Sequence, residues 1–137
     1  MNGLPGVAGL AGTTVAVTGG ARGIGLATVE KLAEAGARVA LGDVDADLAL
    51  AAAEQVADRT GAVVLAAPLD VTDPESWRRF LEAVSVLGPV AVLVNNAGIM
   101  PLGPVLEESD DVARAIVDVN LHGVINGTKA VAPGMVE

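Results

Sequence analysis

Residues 18–25, with the sequence TGGARGIG, form the segment of this 137-residue chain that is best suited to binding phosphate groups. They follow a short run of β-branched and apolar residues and precede a helical pattern of apolar positions. A glycine-rich turn between a strand and a helix directs backbone N–H groups and the positive helix end toward one spot, which suits a pyrophosphate. Gly19, Gly23 and Gly25 are therefore candidate binding residues. The alternative is that they only make a tight turn.

Asp43 is the acidic residue best placed to bind a nucleotide ribose. It ends a second apolar run, residues 38–42, at about the 20-residue spacing from the glycine turn that dinucleotide-binding proteins show. A carboxylate at this position accepts hydrogen bonds from both ribose hydroxyls and repels a 2′-phosphate, which favours NAD over NADP. Two alternatives remain open at this stage. Asp43 could instead cap the helix that opens at Asp45, and Arg22 could reach a 2′-phosphate.

Residue types exclude several other kinds of chemistry. A phosphate-loop NTPase needs Lys and then Ser or Thr directly after its last glycine, whereas Leu26 and Ala27 occupy those places. The chain has no Cys and one His, which excludes thiolate catalysis, disulfides and nearly every zinc or copper site. A Mg²⁺ bound by carboxylates stays open as an alternative, but no residue pattern supports it, and no metal site is predicted. The net charge of −9 and the near absence of aromatic residues argue against a nucleic-acid partner. The start of the chain, residues 1–14, is Gly-rich with no positive charge, and no apolar run is long enough to span a membrane, so a cytoplasmic location is expected.

Short apolar runs alternate with helical patterns along the chain. The runs predict buried strands at residues 13–17, 38–42, 62–69 and 90–94. The patterns predict helices at residues 26–35, 45–60, 72–87 and about 112–131, the third of them ended by Gly88-Pro89. The third helix is predicted to begin at Thr72 as N-cap with Glu75 three residues later, and the last to end near Pro133. Strands that are apolar on both faces and alternate with helices are typical of a parallel sheet covered on both sides.

Four motifs, in order, resemble those of the short-chain dehydrogenase/reductase family. TGGARGIG resembles the family's TGxxxGIG cofactor motif, and Asp70-Val71 resembles its adenine-pocket pair. Residues 95–98 match its NNAG turn, and Asn120 lies where its helix-borne catalytic Asn is expected. The resemblance covers residues 14 to about 133. It implies an α/β fold, a Rossmann-like doubly wound parallel sheet of strand order 3-2-1-4, truncated after about four β-α units. It also implies that residues 1–137 are a single NAD(P)-binding domain, incomplete at its C-terminal end.

The resemblance also implies roles for individual residues. Asp70 would bind the adenine amino group with Val71 packed nearby, and Asn95 would tie strands together. Asn120 would be catalytic, holding a proton-relay water through its main-chain carbonyl, and Gly123 would permit the helix irregularity that this requires. The cofactor would be NAD, with NADP as the less favoured choice. The implied cofactor-binding residues are Gly19, Ala21, Arg22, Gly23, Ile24, Gly25, Asp43, Asp70, Val71, Asn96, Ala97 and Gly98.

The proton-transferring residues of such an enzyme are not all present. Family members use a Ser, and a Tyr followed four residues later by Lys, whereas this chain has no Tyr. His122 has no Asp or Ser partner evident in the sequence and is interpreted as a surface residue. The predicted protein is an NAD-dependent oxidoreductase acting on a small alcohol or ketone as a homodimer or homotetramer. The 137 residues are expected to be its cofactor-binding half and to be inactive alone.

Two alternative functions remain open. One is a non-catalytic module that binds NAD without redox chemistry, which the absence of Tyr favours. The other is a methyltransferase or a nucleotide-sugar enzyme on a similar sheet, because one fold supports many functions. The NNAG turn and Asn120 count against this second alternative.

Overall fold

The computed structural model describes residues 9–136, which contain a four-stranded parallel sheet with helices on both faces. The Gly-rich residues 1–8 lie outside the described residues. A 3₁₀ turn, Ser85–Leu87, precedes the last strand, and a π-helical segment, Asp118–His122, joins the last two helices. The strands are β1 (Thr14–Thr18), β2 (Arg38–Asp43), β3 (Val64–Pro68) and β4 (Val90–Val94). The helices are α1 (Gly23–Glu34), α2 (Ala46–Thr60), α3 (Pro74–Ala83), α4 (Asp110–Val117) and α5 (Gly123–Met135).

The strand order is β3-β2-β1-β4, as the resemblance predicted. All neighbouring strands are parallel, and Val15 of β1 pairs with Val39 of β2 on one side and Val92 of β4 on the other. The chain moves outward from β1 through β2 to β3 and then crosses back to β4. Ligands of open α/β sheets bind outside the carboxyl ends of the strands where this direction reverses. In this protein that point lies between the ends of β1 and β4.

The core consists of one apolar layer on each face of the sheet. Successive strand residues point to opposite faces, so Val15 and Val17 pack under α1 and α2, whereas Ala16 packs under α3 and α5. The two aromatic residues, Trp77 and Phe80, lie in the second layer as an edge-to-face pair with ring centroids 6.0 Å apart. Both are buried, as the apolar stripe of α3 predicted.

The ends of α3 and α5 differ from the sequence prediction, and α3 stops at Ala83, where the 3₁₀ turn follows. The N-cap of α3 is Asp73, whose carboxylate accepts a hydrogen bond from the Glu75 N–H at 2.9 Å, and not Thr72. The reason is that Thr72 donates instead to Asp70, through both its N–H and its hydroxyl. The last helix continues to Met135 with Pro133 inside it. Because the helix ends so soon after this proline, the missing N–H disturbs only the final turn.

Candidate functional site

The glycine turn connects the carboxyl end of β1 to the first turn of α1. Gly19 and Gly23 have φ angles of +64° and +56°, in the left-handed region that other residues rarely adopt. A Cβ at Gly19 would lie 2.9 Å from the Cα of Ala97, and a Cβ at Gly25 would clash with the carbonyl oxygen of Gly19. Positions 19 and 25 therefore need glycine for close packing. The helix starts at Gly23, earlier than the predicted start at Leu26, so Gly23 and Gly25 both belong to its first turn.

The space in front of α1 is open. Within residues 9–136, a Cβ at Gly23 would meet no heavy atom closer than 4 Å, and Ile24 is 80% exposed. The N-cap residue Arg22 makes no capping hydrogen bond, and the first turn of α1 holds no acidic residue. The positive end of this helix is therefore available to an anion. By contrast, the N-termini of three other helices are capped by the side chains of Asp45, Asp73 and Ser109.

Asp43 joins the end of β2 to the glycine turn. It is 7% exposed, its Oδ2 accepts a hydrogen bond from the N–H of Ala21, and its Oδ1 accepts one from the N–H of Asp45, each at 3.1 Å. These bonds fix the orientation of the carboxylate, and each oxygen retains a lone pair for a further donor. The α2 helix is capped by Asp45, which accepts from the Leu48 N–H at 3.1 Å. The interpretation of Asp43 as that cap is therefore wrong.

Arg22 forms an ion pair with Asp45. Its Nη2 lies 3.0 Å from the Asp45 Oδ2, and both side chains are exposed to solvent. Asp45 thus uses one carboxylate oxygen to cap α2 and the other to hold the guanidinium.

The turn after β4 is fastened to the glycine turn. The Nδ2 of Asn96 donates to the carbonyl oxygens of Thr18 and Gly19 at 3.0 and 3.1 Å. The Thr18 hydroxyl accepts from the N–H groups of Asn96 and Ala97 at 3.0 and 2.9 Å. Among the described residues, this connection between β1 and β4 is therefore made by Asn96, whereas the resemblance implied that Asn95 ties strands together. Two adjacent Asn residues gave the sequence no means of deciding which side chain faces β1.

Asp70 and Val71 follow β3 at the same edge of the sheet. Val71 is buried, and its carbonyl accepts hydrogen bonds from the Trp77 Nε1 at 3.2 Å and the Asn126 Nδ2 at 3.0 Å. Asp70 is exposed, and its Oδ1 accepts from the N–H and hydroxyl of Thr72 at 2.9 and 2.7 Å. Val71 therefore belongs to the core, while the Asp70 carboxylate lies at the surface beside it.

Asn120 lies within the π-helical segment. The last predicted helix is therefore irregular near Gly123, which is the irregularity that the implied role of Asn120 requires. The Gly123 N–H bonds the carbonyl of Asp118, the i to i+5 pattern of a π-helix. The Asn120 amide makes two reciprocal hydrogen bonds with the backbone of Ile99, accepting from its N–H and donating to its carbonyl, each at 2.8 Å. No local sequence pattern predicts this contact, because the two residues lie far apart in the chain.

His122 has a partner that the sequence analysis did not identify. Its Nδ1 lies 2.9 Å from the Oδ1 of Asp118 within the same π segment. Both side chains are 55% exposed. The pair therefore lies at the protein surface, which agrees with the interpretation of His122 as a surface residue.

Two further observations concern residues 9–136 as a group. None of their helices is both long enough and apolar enough to cross a membrane. Nor do any three of their His, Asp or Glu side chains come together in a group that could hold a metal ion.

The parallel sheet, with a glycine turn and an Asn-containing turn meeting at its switch point, defines a Rossmann-like α/β protein. The sequence model of the short chain dehydrogenase family matches residues 13–137. The chain therefore belongs to the short-chain dehydrogenase family.

Named relatives agree with this assignment. The 3-alpha-(or 20-beta)-hydroxysteroid dehydrogenase of Mycobacterium tuberculosis is 39% identical over 129 residues, which are 93% of this chain and 48% of that protein. The 2,5-dichloro-2,5-cyclohexadiene-1,4-diol dehydrogenase of Sphingobium indicum is 36% identical over 129 residues, which are 93% of this chain and 51% of that protein. The chain thus spans about half the length of the curated relatives that it matches.

Solved structures show the same fold. A short-chain type dehydrogenase/reductase from Mycobacterium marinum has a TM-score of 0.87 and 32% identity, over 95% of this chain and 51% of that one. The L-sorbose reductase of Gluconobacter frateurii, solved with NADPH and L-sorbose, has a TM-score of 0.85 and 29% identity, over 93% of this chain and 49% of that one.

Proposed function

We propose that this chain forms the nucleotide-binding half of a short-chain dehydrogenase that uses NAD. The observation that carries the proposal is the buried Asp43 carboxylate, which the Ala21 N–H holds against the glycine turn at 3.1 Å. A ribose bound there would donate its hydroxyls to an already oriented acceptor. A 2′-phosphate would instead meet this buried negative charge.

The residues around Asp43 fit the rest of a dinucleotide. The open, uncapped start of α1 at Gly23 and Ile24 would hold the pyrophosphate. Asp70 would bind the adenine amino group from the end of β3, beside Val71. On the other side of the glycine turn, the turn formed by residues 96–98 would line the nicotinamide half. When bound, the nicotinamide supplies or accepts the hydride.

Asn120 would act as a positioning residue in this arrangement. Its two hydrogen bonds to Ile99 hold the chain directly after the NNAG turn. The π-helical geometry frees backbone carbonyls from the regular ladder, which supports the proposed water contact of the Asn120 carbonyl.

The proposed substrate class is a small alcohol or ketone. The relatives named above are dehydrogenases of hydroxysteroids and of a cyclohexadiene diol, and a reductase of L-sorbose. Each of these substrates carries a carbon that can be interconverted between an alcohol and a ketone. The family's tyrosine is not among these 137 residues, so hydride transfer would need residues that this chain does not contain. The same absence favours the second candidate, a module that binds NAD without catalysis.

Titration of the purified protein with NADH and NADPH tests the cofactor assignment. We expect tighter binding of NADH, measured by calorimetry. Asp43→Asn should weaken NADH binding about tenfold or more, because charge-assisted hydrogen bonds contribute about 1.5–3 kcal/mol. NADPH binding should fall less, so that the preference relaxes. An unchanged ratio of the two affinities would remove Asp43 from the ribose site.

An assay of hydride transfer tests whether these 137 residues are inactive alone, as expected. The protein is mixed with NADH and either a steroid ketone, a cyclic diketone or L-sorbose, and the NADH absorbance is followed. Consumption of NADH with any of these ketones supports the dehydrogenase. Binding of NADH without consumption is the result expected of both candidates, because the 137 residues lack the family's tyrosine in either case.

A further inference from the structure

The ion pair between Arg22 and Asp45 lies directly beside the proposed ribose site. Arg22 follows Ala21, whose N–H binds one oxygen of Asp43, and the N–H of Asp45 binds the other oxygen of the same carboxylate. The Asp43 carboxylate, which would recognise the ribose, is thus bonded to the backbone of Asp45 itself and to the backbone of Ala21, the residue before Arg22. The guanidinium lies 3.0 Å from Asp45. The Asp43 carboxylate and the Arg22–Asp45 ion pair are therefore linked through the backbone of residues 21 and 45.

We propose that Asp45 is a specificity-determining residue that favours NAD indirectly, by pairing with the Arg22 guanidinium that would otherwise bind a 2′-phosphate. The inference rests on the proposed function, because it assumes that the ribose binds at Asp43. An arginine guanidinium binds phosphate through parallel hydrogen bonds, so a free Arg22 would attract the extra phosphate of NADP. With Asp45 in place, the phosphate must compete with a carboxylate for that guanidinium.

The geometry of Asp45 makes this competition effective. Its Oδ1 caps α2 through the Leu48 N–H at 3.1 Å, which leaves Oδ2 directed to Arg22. The carboxylate is therefore held in place before any ligand binds. An exposed ion pair of this kind contributes little to stability. The main consequence of the ion pair is electrostatic. A ligand at this site meets two carboxylates, those of Asp43 and Asp45, and an arginine that is already paired.

Asp45→Asn tests the inference without removing the helix cap. Asn is as good an N-cap as Asp, so α2 keeps its capping hydrogen bond while the negative charge disappears. We expect the affinity for NADPH to rise about five- to tenfold, because one repelling charge is lost and Arg22 is released. The affinity for NADH should change by less than about twofold. Calorimetry with adenosine 2′,5′-bisphosphate and AMP repeats the comparison on the adenosine half alone.

Asp47→Asn is the matched control. Asp47 is exposed in the first turn of the same helix and, among the described residues, makes no ion pair with Arg22. The substitution Asp47→Asn removes the same charge and should leave the ratio of the NADPH and NADH affinities unchanged. The double variant Arg22→Gln, Asp45→Asn should lose the gain for NADPH. Circular dichroism of each variant checks that the helices are retained.

Three results would overturn the inference: no change of the ratio in Asp45→Asn, an equal gain in Asp47→Asn, or a gain that survives in the double variant. In each of them the wild-type protein still binds NADH, so the proposed function stands. If the wild-type protein binds neither cofactor nor either adenosine nucleotide, the proposed function fails and this inference fails with it.

Discussion

Single residues in the glycine turn have different physical reasons for being glycine. At Gly19 and Gly25 a side chain would collide with neighbouring backbone, whereas at Gly23 there is open space and only the positive φ of +56° disfavours a side chain. The sequence predicts all three as one motif and cannot separate these reasons, since they depend on how closely the turn packs against Ala97. The dual contact of the Asp43 carboxylate was equally hidden, because it depends on the direction of two backbone N–H groups.

Comparison of the variants Gly23→Ala and Gly61→Ala distinguishes the effect of backbone strain on stability from the effect of a side chain on cofactor binding. Both glycines have positive φ, +56° and +72°, and neither would place a Cβ within 4 Å of another atom. Each substitution should lower the free energy of unfolding by about 1–2 kcal/mol, measured by thermal denaturation. Only Gly23→Ala should also weaken NADH binding, about tenfold, because its methyl group occupies the space in front of α1. Equal NADH affinities in the two variants would place the pyrophosphate elsewhere.

At the scale of elements, the strands and helices follow from local patterns and the irregular segment does not. All four strands lie where apolar runs predict them, with small shifts at their ends, because buried parallel strands need apolar residues on both faces. Helix capping was predicted less well, since Asp70, Thr72 and Asp73 are close together in sequence and only the structure shows that Thr72 donates to Asp70 while Asp73 accepts from Glu75. The Asn120 amide bonds to Ile99 arise only from tertiary packing, so no sequence period indicates them.

Asn120→Ala should loosen the segment that follows the NNAG turn. The Ile99 N–H loses its acceptor and its carbonyl loses its donor, which should lower the free energy of unfolding by about 1 kcal/mol or more. Hydrogen exchange read by NMR should then show faster exchange of the Ile99 amide. Thr128→Ala is the control, because this exposed hydroxyl donates within α5, to the Val124 carbonyl, and has no other bond in the part of the chain that the structure describes. If Ile99 exchanges equally in both variants, Asn120 does not hold the segment.

At the scale of the whole molecule, the four strands are unequally covered. Every residue of β1 is buried, whereas each residue of β4 retains some exposure, because β4 pairs with β1 on one side only. The sequence could predict this edge position through the family's strand order. It could not show how much apolar surface the neighbouring helices leave uncovered. Along α4, the π segment and α5, the residues Val117, Leu121, Val124 and Ile125 are 37–54% exposed.

This exposed apolar stretch is where the predicted homo-oligomer should associate, because covering it would remove apolar surface from water. Leu121→Lys places a charge at its most exposed residue and should shift the purified protein toward monomer in light scattering after size exclusion. Leu50→Lys is the matched control. Leu50 is 53% exposed, nearly the same as Leu121 at 54%, but it lies on α2, which covers the opposite face of the sheet. A monomeric wild type, or an equal effect of both lysines, would contradict association through α4 and α5. Dissociation by Leu121→Lys alone would locate the contact on this stretch, since the two variants differ mainly in the face that carries the new charge.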